Sequence, residues 1–161
     1  MRIVDLFYTQ ARQHRAVRGF RYGKGDGKGG TGDCYPLVWV DDPVYFQSVG
    51  QGLRYTVNFD VLGIPDEGYG VIDVQRAAQA VGLDILERLR QKRAETGYHP
   101  DGFSGVSLRD YYDDGAAGWR FTASFIAANP VSLCEDPFDP EKKLPVAGRW
   151  DKPCLPNFCL E

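Results

Sequence analysis

The chain reads as an α+β domain, and three features predict that class: one long amphipathic helix over Val71–Arg93, a strictly alternating strand over Leu53–Leu62, and two further strands close behind them. A sheet with one apolar face needs a cover, and a helical stripe of this length supplies it. The expected architecture is an antiparallel sheet of about four to five strands packed against one long helix. A short N-terminal helix, a glycine-rich hairpin arm and an extended C-terminal tail complete it.

Residues 2–14 place Ile3, Phe7 and Ala11 at helical spacing with Leu6 beside them, which predicts a short amphipathic helix lying on the core. Ala16–Tyr22, with Val17, Phe20 and Tyr22 beside Arg18 and Arg21, predicts an exposed strand. The run Gly23–Gly32 that follows is glycine-dense and costly in backbone entropy to hold still, so residues 23–33 read as a flexible hairpin arm. Tyr35–Val40 is an apolar run of strand length, stopped by Asp41-Asp42-Pro43.

In the strand over Leu53–Leu62, Leu53, Tyr55, Val57, Phe59 and Val61 share one face, while Arg54, Thr56, Asn58 and Asp60 share the other. The first face is buried and the second wet or paired. Gly63–Gly68 then carries turn chemistry. In the long helix, Val74, Ala78, Val81, Ile85 and Leu89 form one stripe. Asp73 stands in its first turn and Arg88, Arg90, Lys92 and Arg93 stand in its last, as the helix dipole favours. Gly97 is its stop signal, and Gly82 marks close packing against a strand. Phe103–Tyr112 and Trp119–Ala127 read as an antiparallel pair with Trp119, Phe121, Ala123 and Phe125 on one face. These elements define one domain over residues 1–134, and the proline-rich remainder, 135–161, reads as an extended tail.

Composition excludes several classes. A formal charge of −3 and a pI near 5.4 argue against a duplex-binding face, whose affinity comes from lysine and arginine. The longest apolar runs fall far short of the ~20 residues needed to cross a bilayer, so no membrane span is expected. Asp5 interrupts what would be the apolar core of a signal peptide, so secretion by that route is not expected. Cys34, Cys134, Cys154 and Cys159 are spaced irregularly and match neither a disulfide framework nor paired zinc ligands; reduced thiols are expected.

Candidate chemistry is sparse. Gly25–Gly30 satisfies G-x-G-x-x-G, but Thr31–Pro36 cannot open the helix that phosphate binding requires, so a flexible loop is the expected role. The pairs Asp41-Asp42 and Asp113-Asp114, with Asp110 nearby, have the oxygen chemistry for a divalent cation, yet both sit at turns where aspartate serves the backbone. His14 and His99 lie near no nucleophile motif. No cofactor and no catalysis are expected. The rival from a different class is a metal-dependent enzyme using the acidic pairs.

The stretch Tyr55–Leu62, then Asp73-Val74-Gln75 opening a helix that reaches Ile85–Leu89, then Asp110–Asp114 leading to Ala117–Thr122 and Asn129-Pro130-Val131 with Cys134, resembles the tail-terminator (tail-completion) family of long-tailed phages and prophages. The resemblance covers residues 35–134 and rests on the order and spacing of its elements. It implies a structural virion protein: an α+β subunit forming a closed, six-membered ring on the last ring of the tail tube, with no catalysis. Implied partners are other copies of itself, the tail-tube protein and head-connector proteins, with DNA only as passing cargo and no membrane. The implied location is the tail or neck of the virion, and the host cytoplasm during assembly. A head–tail joining or tail-tube protein is the rival within the same class. A ring needs an interface whose rotation closes, and arms and aromatic anchors serve such interfaces. The candidate interface residues are Lys24, Asp26 and Lys28 of the arm, the aromatics Trp39, Tyr45, Phe46, Tyr111 and Tyr112, the acids Asp113 and Asp114, and Trp150 of the tail.

Overall fold

The computed structural model describes residues 3–30, 32–110, 114–129 and 141. The chain divides into two units, Met1–Asn129 and Pro130–Glu161, and the fold below is that of the first. The tail expected over 135–161 lies outside the described residues, Glu141 apart.

Helix α1 (Ile3–Gln13) opens the fold, followed by β1 (Gly19–Gly23), a single 3-10 turn (Gly25–Gly27), β2 (Leu37–Asp41), β3 (Tyr45–Val49) and β4 (Gly52–Gly63). Helix α2 (Val71–Gln91) comes next, then the one-turn α3 (Arg93–Thr96) and the long hairpin of β5 (His99–Leu108) and β6 (Ala117–Ala128). All six strands form one sheet in the order β1-β2-β4-β6-β5, with β3 also paired to β4. The class is α+β.

The long helix obeys its sequence pattern. Val74, Ala78, Val81, Ile85 and Leu89 are buried, while the polar positions between them face outward. Gly97 ends the helical segment in the left-handed region at φ 74°, where a side chain would be strained. Gly82 lies against β6: a Cβ there would stand 2.2 Å from the Phe121 ring, so only glycine allows this approach. Beneath the helix, Phe59 and Phe121 stack at 4.9 Å with 12° between planes. Phe7 of α1 packs on Phe59 at 5.0 Å and edge-on to Phe125 at 5.8 Å. Each fully buried side chain of this kind contributes about 1.5–3 kcal/mol, and the cluster joins α1, α2, β2, β4 and β6 into one core.

The structure corrects the expected sheet in three places. It has six strands and is mixed, because β1 and β2 run parallel, from Gly19 beside Leu37 to Gly23 beside Asp41. A parallel pair needs a crossover in place of a tight turn, so residues 24–36 are that crossover and not the hairpin arm expected over 23–33. Second, Tyr45–Val49, to which the sequence pattern assigned no strand, is a strand paired to the first half of β4. β2 pairs with the second half of the same edge. Between Val40 and Tyr45 the outer chain advances five residues while β4 advances three, from Phe59 to Thr56, so Asp41–Val44 bulges out of the ladder. The acids and Pro43 that read as a strand terminator mark this bulge. Third, β5 begins at His99 and ends at Leu108, earlier at both ends than expected, with an irregularity between Pro100 and Gly102.

Gly82→Ala is expected to force the helix off β6 and lower unfolding free energy by about 1–3 kcal/mol, read as a shift of the urea midpoint. A midpoint equal to wild type would show that α2 does not bear on Phe121.

Candidate functional site

The second face of the sheet holds an unusual buried centre. Asp60 lies mid-sheet on β4, and its side chain is 0% exposed. A buried carboxylate requires partners, and two cations supply them. Arg120, paired with Asp60 across β4 and β6, donates from Nε to Oδ1 at 2.9 Å and from Nη2 to Oδ2 at 3.0 Å. Lys28, from the crossover, donates from Nζ to Asp60 Oδ2 at 2.6 Å, and its side chain is 1% exposed. The same Nζ stands 2.6 Å from Asp41 Oδ1 as an ion pair without hydrogen-bond alignment, and 5.8 Å from the centroid of the Trp39 ring. Trp39 is itself buried and donates from Nε1 to Gly23 O at 3.1 Å. Among the described residues, two acids and two bases meet in this cluster, and the glycine-rich crossover is drawn onto the sheet by its lysine.

Beyond this cluster Leu37, Trp39, Leu62, Leu108 and Ala116 form a small second core. Tyr35 packs against it and donates its phenol to Asp114, which also accepts from the Ala116 N–H. Burial pushes the Tyr35 pKa up, and the hydrogen bond to Asp114 and the charges of Asp114 and Asp33 push it further the same way. An apolar groove of about 370 Å³ opens beside Tyr35, between Leu62, Ile64, Tyr69 and the Val74–Val81 stretch of α2.

The proposed interface residues separate into three groups. Lys28 and Trp39 are buried within the subunit, so they serve the sheet and are withdrawn from any surface role. Lys24 and Asp26 are exposed on the crossover. Tyr45 and Phe46 are exposed, Phe46 at 67%, and Phe46 begins a row of rings through Tyr55 to Tyr98, with centroids 6.1 and 5.6 Å apart. Asp114 is half-buried in the turn before β6, while Tyr111, Tyr112, Asp113 and Trp150 lie outside the described residues.

The other chemistry-bearing residues have local roles. Asp42 accepts from the Tyr22 hydroxyl at 2.9 Å, and Asp41 pairs with Lys28. Among the described residues, no three of His, Cys, Asp and Glu gather as a metal site. The 3-10 turn at Gly25–Gly27 leads to β2 and not to a helix, so the G-x-G-x-x-G match lacks the geometry of a phosphate loop. His14 bridges α1 to Asp84 of α2 at 3.2 Å, His99 is exposed on β5, and Cys34 is an exposed thiol. No described helix is long and apolar enough to cross a membrane. No family model and no curated protein matches the chain.

Two surfaces escaped the sequence reading. β5 is a ten-residue edge strand exposed along most of its length, with Phe103 at 57% and Val106 at 56% exposure. Its sequence, rich in glycine and serine, gives little periodicity to mark which face is free. At the opposite end of the sheet, Arg12, Arg15 and Arg18 are exposed and pair with no described acid. Their regular spacing across the end of α1 was the available signal.

Lys28→Ala leaves Asp60 and Asp41 short of a cation and is expected to cost about 3–5 kcal/mol. Faster trypsin cleavage at Lys24 would accompany it, and an unchanged cleavage rate would show that Lys28 does not hold the crossover. Tyr35 gives a pH-dependent outcome. Its raised pKa means that the folded protein holds this proton more tightly than the unfolded chain. The stabilisation is therefore complete below pH ~10 and is lost as the pH climbs above it. Thermal melts between pH 8 and 11 should show Tyr35→Phe about 1 kcal/mol weaker at pH 8, but with a flatter alkaline decline. Parallel declines would contradict this role.

Proposed function

We propose that the chain is a structural subunit of a tailed phage or prophage, a tail terminator that assembles as a ring at the head–tail interface and caps the tail tube. The observation that carries the ring is the sheet itself, which among the described residues ends in two unlike strands, β1 on one side and β5 on the other. An exposed edge with free backbone donors and acceptors and apolar side chains is a template for a further strand. Two different edges at opposite ends favour head-to-tail addition, which closes into a ring when the rotation per subunit allows. The order of elements that resembles the terminator family supports the rest of the reading, a ring on the last ring of tube protein that faces the head connector. The partners of this reading are other copies of the chain, tube and connector proteins, and DNA as passing cargo. The location is the virion neck, with the host cytoplasm during assembly.

Light scattering and negative-stain imaging of the purified chain should show closed rings of limited size, and electron micrographs of mixtures with tube protein should show density at tube ends. Lysines at Phe103 and Val106, placed on the β5 edge, should abolish ring formation while leaving the circular dichroism spectrum and melting temperature near wild type. Extended tubes made by the chain alone would favour the tube-protein reading. A monomer at all concentrations would overturn the ring.

A further inference from the structure

The arginine patch lies beside a cleft. Helix α1 and strand β1 diverge at their shared end, leaving about 230 Å³ lined by Tyr8, Ala11, Val17 and Phe20, with Arg12 and Arg18 on its walls. Tyr8 meets Phe20 edge-on at 5.3 Å, so the floor is aromatic. Arg15 stands in the turn between the other two arginines, and all three are exposed on a chain whose formal charge is −3. Aromatic floor and cationic walls together select an apolar side chain that arrives among acids.

The turn between β4 and α2 offers that chemistry. Ile64-Pro65-Asp66-Glu67-Gly68-Tyr69 carries two acids and no base, and Ile64 and Tyr69 are 40% and 45% exposed. Asp66 and Glu67 are exposed as well, and neither forms an ion pair among the described residues. The turn is already closed. The Asp66 N–H donates to Tyr69 O at 3.0 Å, the Tyr69 N–H to Asp66 O at 3.3 Å, and the Gly68 N–H to Asp66 Oδ1 at 2.8 Å. An element ordered in this way has little freedom left to lose on docking.

Cleft and turn stand at the same end of the sheet. Gly19 aligns through Leu37 with Leu62, so β1 begins beside the strand end from which the acidic turn departs. Ala16, from the segment that carries Arg15 and Arg18, lines an apolar groove of about 370 Å³ together with Ile64 and Tyr69. Basic and acidic elements thus border one apolar patch. A surface that carries both halves of a contact side by side is complementary to itself across a two-fold axis, where each copy gives its turn and receives its partner's.

We infer that two copies pair through this end of the sheet, each setting its Ile64–Tyr69 turn against the α1–β1 cleft of the other. Tyr69 meets the aromatic floor, and Asp66 and Glu67 meet Arg12, Arg15 and Arg18. Every contact occurs twice. The inference goes beyond the ring reading and does not rest on it, since the ring uses the side edges β1 and β5 and this contact uses the strand ends.

The full-length chain carrying Phe103→Lys and Val106→Lys, which blocks association along β5, isolates the contact. Light scattering should report a dimer, twice the 18.0 kDa of one chain. In that background Arg12→Glu/Arg15→Glu/Arg18→Glu and Asp66→Asn/Glu67→Lys should each keep the circular dichroism spectrum; asparagine at 66 retains an acceptor for the Gly68 N–H. Each should raise the dimer dissociation constant tenfold or more. Mixing the two should restore the dimer, because an acidic surface then meets a basic one. Tyr69→Ala should weaken pairing with the charges intact. An edge-blocked chain that stays monomeric at all concentrations, or a dimer unmoved by both charge variants, would overturn the inference and leave wild-type rings standing. Wild-type dimers that never grow into rings would overturn the ring and support this contact. Retardation of a short DNA duplex by wild type but not by the arginine variant, with normal pairing of the Asp66→Asn/Glu67→Lys variant, would assign the arginines to nucleic acid and overturn it.

Discussion

Asp60 is the constraint on which the second face of this sheet depends. A carboxylate at the middle of the central strand, fully withdrawn from solvent, is tolerable only with its oxygens satisfied and its charge balanced. Arg120 satisfies part of that need from the neighbouring strand, and Lys28 reaches in from the crossover with Asp41 beside it. Because Lys28 sits in the crossover, neutralising Asp60 also fixes the path of a glycine-rich segment that has little else to hold it. The same segment carries the chain back to the starting end of β1, as the parallel pairing of β1 with β2 requires.

The helix-covered face is built on a different principle. Phenylalanine rings from α1, β4 and β6 interlock, and α2 closes over them at a distance that Gly82 permits. One face is therefore apolar and tightly stacked, and the other is held by a charge cluster under the crossover. The sheet between them ends in unlike strands, a basic-aromatic end at β1 and a long exposed edge at β5. The proposed head-to-tail association, and with it the tail-terminator reading, is built on that asymmetry.

Much of the fold was legible because local pattern and burial coincide. The stripe of α2, the amphipathic start of α1, the alternation of β4 and the aromatic face of β6 are all periodic signals whose meaning survives in the tertiary structure. The stop at Gly97 and the tight packing at Gly82 were legible for the same reason: glycine in those places has few other uses. β3 was missed because its side chains are mostly exposed and so carry no burial pattern. Lys28 and Trp39 were placed on the surface because lysine in a glycine run reads as solvent-facing, and nothing local announces a carboxylate thirty-two residues away.

The amino-acid sequence by itself determined the class of the fold, its principal helix and strands, and the faces those elements turn to the core, because these depend on periodicities spanning a few residues. Only the tertiary structure decided the parallel edge, the fate of the glycine segment and the contrast between the two ends of the sheet. Those depend on which distant charges must meet once Asp60 is buried, and a requirement for a partner far along the chain leaves no local trace.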